Sequence, residues 1–286
     1  MTKSIILVGG PDTGKTNYLA RLVAHFRDGD GALVATRLPD DMRYIEDALD
    51  YLMKGEFAPR SHNTADELSG EIMIEIRSKV DDSEAHLSVP DVSGETWDDI
   101  AKSAQISQEW LDRVRAANGA LLFVRILSDL NVAPLDWLNA PEMLALVGEG
   151  DERQFALPTQ VMLCEFLRLL DENLDRSDGE TPRVGLVITA WDRLDAHTRA
   201  AGPRAFLDRE YPLLGGKIAN SRGLEIGIFA ASVVGGELSD ETFKAEYLDG
   251  DIVERGYIVD ATASEVQTDR DITRPISWVL RFPNPD

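Results

Sequence analysis

The feature that most limits what this chain can become is an octapeptide near its start. Gly9-Gly10-Pro11-Asp12-Thr13-Gly14-Lys15-Thr16 fits G-x-x-x-x-G-K-[ST] without a mismatch. It follows the continuous apolar run Ile5 to Val8, the signature of a strand buried on both faces. Beyond it, Leu19, Leu22, Val23 and Phe26 recur at helical spacing. A strand, a glycine turn and an amphipathic helix make a cradle in which backbone N–H groups converge on a phosphate. The helix N-terminus adds its positive dipole. In such a cradle Lys15 spans β- and γ-phosphate oxygens and the Thr16 hydroxyl sits on Mg²⁺. The loop predicts a bound nucleoside triphosphate with Mg²⁺, contacted by Gly9, Pro11, Asp12, Thr13, Gly14, Lys15, Thr16 and Asn17.

The remaining patterns say what the cradle is built into. Met42, Ile45, Leu49 and Leu52 share one face of a helix that stops at Gly55. Ile72, Ile74 and Ile76 alternate with Met73, Glu75 and Arg77, which reads as a strand covered on one face. His86 to Pro90 reads as the next strand, and the link from Ser78 to Ala85 is too short for a parallel crossover. The pair must therefore be an antiparallel hairpin. A helix marked by Trp110, Leu111 and Val114 feeds an apolar strand, Gly119 to Leu127. A helix over about 159–174 follows, then a buried strand from Val184 to Ile188 and a last sheet strand from Leu224 to Phe229. A final helix is opened by Pro275. Strands alternating with helices predict an α/β three-layer sandwich: a mostly parallel sheet with one antiparallel edge strand. The 286 residues read as one domain, with surface insertions near 30–58 and 128–157.

Charge and cysteine usage narrow the partners. The formal charge is −22, with the acidic residues spread over many turns. Such a surface repels nucleic acid and anionic lipid. No apolar run approaches membrane-spanning length and none forms a secretory leader, so a cytoplasmic protein is expected. Cys164, the sole cysteine, lies in an apolar helical stretch and reads as a small buried hydrophobe.

Two further turns carry a resemblance. The hairpin ends in Asp91-Val92-Ser93-Gly94-Glu95, a D-x-x-G turn, and Val184 to Ile188 leads into Thr189-Ala190-Trp191-Asp192. After the last strand comes Ala230-Ala231-Ser232-Val233. In this order the motifs resemble those of the small-GTPase-like P-loop GTPases, over nearly the whole chain. The insertions, D-x-x-G-E and T-x-x-D most resemble the bacterial double-GTPase families, which implies a place in bacterial conflict or signalling systems. By that resemblance Asp91 holds an Mg²⁺-bound water and the Gly94 N–H senses the γ-phosphate. Thr189 and Asp192 belong to the guanine site, Asp192 accepting from N1 and N2, and Ser232 and Val233 lie at guanine O6. Ala190 departs from the family's lysine; Trp191 or Arg193 would stack in its stead, and Asp195 rivals Asp192 as the carboxylate.

The switch threonine that reaches Mg²⁺ is Thr64, with Ser61 second. Glu95 stands where the family often has a glutamine, which implies slow intrinsic turnover, or it is simply a helix-start residue. Asp12 stands where several relatives help place K⁺ against the phosphates, which implies stimulation by K⁺ over Na⁺. The resemblance thus implies a GTP-binding and hydrolysing molecular switch that takes guanine nucleotide, Mg²⁺ and K⁺ and signals to a protein effector or homodimer partner. Two other readings compete: a nucleotide-bound scaffold that hydrolyses little, favoured by Glu95 and Ala190, and an ATP-using P-loop enzyme such as a kinase.

Overall fold

The computed structural model describes residues 3–28, 31–39, 41–58, 72–89, 97, 99–100, 103, 105–134, 157–263 and 265–283. Among the described residues nine strands form one sheet: β1 (Lys3–Val8), β2 (Leu33–Arg37), β3 (Ile72–Ser78), β4 (Glu84–Val89), β5 (Gly119–Arg125), β6 (Arg183–Thr189), β7 (Glu225–Ser232), β8 (Tyr257–Asp260) and β9 (Gln267–Asp269). Their spatial order is β2-β3-β4-β1-β5-β6-β7-β8-β9.

β1 carries the logic of the whole sheet. Its side chains alternate between two cores, as a strand of period two must when both faces are covered. Ile5 and Leu7 join one core and Ile6 and Val8 the other, all essentially buried. On the first face lie α1 (Lys15–Asp28), α2 (Arg43–Met53) and α9 (Arg274–Leu280). On the second lie α3 (Gln108–Ala116), α4 (Thr159–Asn173), α5 (Ala196–Glu210) and α6 (Pro212–Ala219). Two short helices, α7 (Glu241–Asp249) and α8 (Ile252–Arg255), complete the first face beside α1. The approach of α9 explains two glycines. A Cβ on Gly119 would stand 2.5 Å from Val279 Cγ1, and one on Gly227 would stand 2.9 Å from the Trp278 ring.

The expected hairpin is present: β3 pairs antiparallel with β4, setting Ile74 opposite Leu87. The expectation of one antiparallel edge strand needs correction. The pairings β4–β1, β1–β5, β5–β6 and β6–β7 are parallel. The pairings β2–β3, β3–β4, β7–β8 and β8–β9 are antiparallel. The sheet is mixed, with a parallel centre and antiparallel flanks on both sides. Leu224 to Phe229 is also not the last strand. It becomes β7, and β8 and β9 continue beyond it. The physical reason is length: β9 is Gln-Thr-Asp, three polar residues whose place depends on backbone pairing with β8 rather than on a side-chain pattern. Residues 33–37, expected to lie in a surface insertion, add β2 to the sheet edge.

Candidate functional site

The chain runs from β1 out to β2, returns through β3 and β4, and then crosses to β5 on the other side of β1. That reversal opens a crevice at the carboxyl end of β1, where open α/β sheets bind their ligands. The glycine loop fills this position and leads into α1. Because β1, β5, β6 and β7 are parallel, the residues following each of them arrive at the same edge of the sheet.

Loop geometry depends on close backbone approach. A Cβ on Gly9 would lie 3.1 Å from the Phe123 carbonyl oxygen. Gly14 has φ +85°, and a Cβ there would press against Thr189 at 3.2 Å. Thr189 locks the loop to β6 by donating from Oγ1 to the Thr13 carbonyl at 2.9 Å. Thr13 in turn donates to the Gly10 carbonyl at 2.9 Å. The Lys15 ammonium donates to the carbonyls of Gly9 at 2.5 Å and Gly10 at 2.8 Å. Burial disfavours its charge and pulls its pKa down to about 7. Asn17 accepts from the Ala58 N–H at 3.4 Å, and the Thr16 hydroxyl is hydrogen-bonded to that of Tyr44.

Asp12 adopts the left-handed conformation, φ 58°, unusual for a residue with a Cβ. Its carboxylate is held from both sides: Arg125 Nη1 donates to Oδ1 at 2.6 Å, and Ser128 Oγ donates to Oδ2 at 2.7 Å. Arg125 ends β5 at the same edge, and both partners of the ion pair are mostly buried. A guanidinium already occupies the cation position at this carboxylate. Beside the clamp, Pro11, Thr13, Phe123, Arg125, Ser128 and Met162 line part of a cavity of about 290 Å³.

Two strands over from β1, β6 runs into a single 3₁₀ turn, Trp191–Arg193. Ala190 enters it with φ 61°. Trp191 is buried, edge-on to Phe206 with ring centroids 5.5 Å apart, so it is a core residue and not a stacking surface. Arg193 pairs with Glu237 at 3.4 Å. Asp195 caps α5, accepting from the Thr198 N–H at 2.9 Å and its hydroxyl at 2.7 Å. Burial raises the pKa of Asp192, and a hydrogen bond from Ser232 opposes the rise. Ser232, wholly buried at the end of β7, also accepts the Gly235 N–H at 2.8 Å. Two turns forty residues apart in sequence thus meet side chain to side chain, with Val233 next along the chain.

Four of the expected site residues, Thr64, Asp91, Gly94 and Glu95, lie outside the described residues, as does Ser61. Arg125, Ser128 and Tyr44 were not anticipated. An arginine ending the apolar run Gly119–Val124 was a usable signal, because it falls at the carboxyl end of a central strand. Nothing local marks Tyr44. Among the described residues no cluster of three His, Cys, Asp or Glu could hold a metal. The Thr16 hydroxyl suits Mg²⁺, which takes few protein ligands and completes its shell with phosphate and water oxygens.

The Double-GTPase 1 family model matches residues 6–279. The chain belongs to the Double-GTPase 1 family. The match begins within β1 and ends within α9, so the glycine loop and the Asp192 turn both lie inside the family region. Comparison with curated proteins returns no match. Among solved structures, the chain is similar to the Ski7 GTPase-like domain of S. cerevisiae bound to GTP, at 10% identity with TM-score 0.36. That alignment covers 81% of this chain and 43% of the other, so the chain spans less than half of that relative. Among the described residues no helix is long and apolar enough to cross a membrane.

Proposed function

We propose that this member of the Double-GTPase 1 family is a Mg²⁺-dependent GTP-binding and hydrolysing switch of slow intrinsic turnover, signalling to a partner protein in the cytoplasm. The observation that supports the reading is the shared end of the sheet: the glycine loop follows β1, the Asp192 turn follows β6 and Ser232 ends β7, strands that run parallel in one sheet. One end suits phosphates and the other a base. The arrangement is read as a single domain over 1–286.

Each residue then has a task. The N–H groups of the Gly9 to Thr16 loop cradle the phosphates, and Lys15 leaves its carbonyl partners for the β- and γ-oxygens. Anionic oxygens favour the charged ammonium, which offsets the cost of its burial. Thr16, Thr64 and Asp91, the last through a water, would hold Mg²⁺, which would supply charge neutralisation to the phosphates. Asp192 accepts from guanine N1 and N2, with Ser232 and Val233 beside O6. Hydrolysis adds water to the γ-phosphorus, breaks the β–γ bridge and releases GDP and inorganic phosphate. Gly94 would sense the γ-phosphate and Glu95 would hold the water, its own charge keeping the rate low.

Release of inorganic phosphate from GTP by purified protein tests the reading. Slow Mg²⁺-dependent release that is lost in Lys15→Ala supports it. Tight GTP binding with no release would favour the nucleotide-bound scaffold, a reading supported by Ala190 in place of lysine. Preferential use of ATP would favour an ATP-using enzyme.

A further inference from the structure

The Thr16 hydroxyl has a protein partner from an element outside the phosphate loop. Tyr44 stands in the first turn of α2, packs its ring against the core shared by α1 and α2, and brings its hydroxyl to Thr16 Oγ1. The other end of the same segment is tied one residue further on, where Ala58 N–H donates to Asn17 Oδ1 at 3.4 Å. Between them, Glu46 of α2 pairs with Arg27 of α1 at 2.8 Å. The α2 segment is therefore strapped along α1 with one strap on the metal-facing threonine.

A hydroxyl has one proton and two lone pairs. To face a cation, Thr16 must turn its proton away, and a bond to an acceptor fixes that orientation. Tyr44 Oη, a hydroxyl that can donate or accept, stands within hydrogen-bond reach to be that acceptor. We propose that Tyr44 is a positioning residue for Mg²⁺: it accepts the Thr16 proton and leaves a Thr16 lone pair aimed at the metal. The inference rests on the reading of Thr16 as a Mg²⁺ ligand. Partners that orient a ligand in this way typically change metal affinity 10- to 100-fold when removed.

Tyr44→Phe keeps the ring and deletes only the hydroxyl. The test is the Mg²⁺ concentration giving half-maximal tightening of a fluorescent GDP analogue, with affinity in EDTA as the reference. The expected result is a midpoint raised about 10- to 100-fold with affinity in EDTA unchanged. An unchanged midpoint overturns the proposal, and a lowered one means that Tyr44 competes with the metal. If Tyr44→Phe does not fold, hydrogen exchange of the intact wild-type protein decides. Slower exchange over 43–53 with Mg²⁺ and GDP than with GDP in EDTA supports the strap, and equal exchange overturns it. Failure of the parent reading looks different, because wild-type protein would then show no Mg²⁺-dependent nucleotide binding at all.

Discussion

Asp192 offers a perturbation in which function and stability should move in opposite directions. Burial raises the pKa of its carboxyl above the ordinary 3.8, and Ser232 opposes the rise. The charged form is therefore costly in the nucleotide-free fold. The folded protein holds this proton more tightly than the unfolded chain does. Stability is lost as pH rises from the unfolded pKa through the raised folded value. Asp192→Asn removes that cost while keeping an acceptor for Ser232, so the nucleotide-free variant should melt higher than wild type at pH 8. The difference should vanish at acid pH, where Asp192 is protonated. Guanine binding should suffer. Asn keeps one acceptor and turns an NH₂ donor toward a guanine donor, so at least one hydrogen bond to a charged group is lost, about 1.5–3 kcal/mol. At about 1.4 kcal/mol per decade this weakens GDP roughly 10- to 150-fold. Melting curves without nucleotide and calorimetric titrations with GDP and ADP measure both. Unchanged GDP affinity, equal losses for GDP and ADP, or a lowered melting temperature would refute the reasoning.

Three other outcomes follow from the same geometry. GTP affinity should be bell-shaped in pH: it falls above about 7 as free Lys15 loses its proton, and falls in acid as Asp192 gains one. Titrations from pH 4 to 9 check this, and a flat profile counts against both assignments. Phosphate release should be equal in K⁺ and Na⁺, because Arg125 already supplies the cation at Asp12. Arg125→Ala should cost on the order of 1–3 kcal/mol of stability by melting, and strong K⁺ activation of the wild type would contradict the clamp. Burial pushes the Asp271 carboxyl up, but bonds from His25, Thr273 and the Ala32 N–H outweigh it and bring the pKa down to about 2. With its unfolded value at 3.8, this group contributes roughly 2 kcal/mol above pH 4, lost as pH falls toward 2. Asp271→Asn should therefore lower the melting temperature at pH 7 and match wild type near pH 2.

The parts of the fold legible in sequence are those in which side chains carry the information. Ile5 to Val8 is apolar on both faces because two cores meet at β1. The Ser78–Ala85 link is short enough for geometry alone to dictate a hairpin. Residues 267–269 hold their place through a backbone ladder at one sheet edge, and residues 33–37 through a ladder with Leu33 as their one fully buried side chain, too little periodicity to read. The same division runs through the site. The glycine loop and the Asp192 turn announce themselves as contiguous motifs. Arg125 and Tyr44 reach Asp12 and Thr16 across 113 and 28 residues, contacts that exist only once the sheet has formed and α2 has packed on α1. Trp191 shows the converse error, an aromatic beside a binding motif whose ring belongs to the core.

The central claim is that one crevice takes a guanine nucleotide by its phosphates and its base together. Equilibrium titration of the purified chain with GDP and ADP in Mg²⁺, alongside Lys15→Ala, tests it most directly. One GDP should bind per chain, with ADP bound at least a hundredfold more weakly, about 2.7 kcal/mol, and binding lost in Lys15→Ala. Equal affinity for ADP and GDP, or GDP binding untouched by Lys15→Ala, would contradict it.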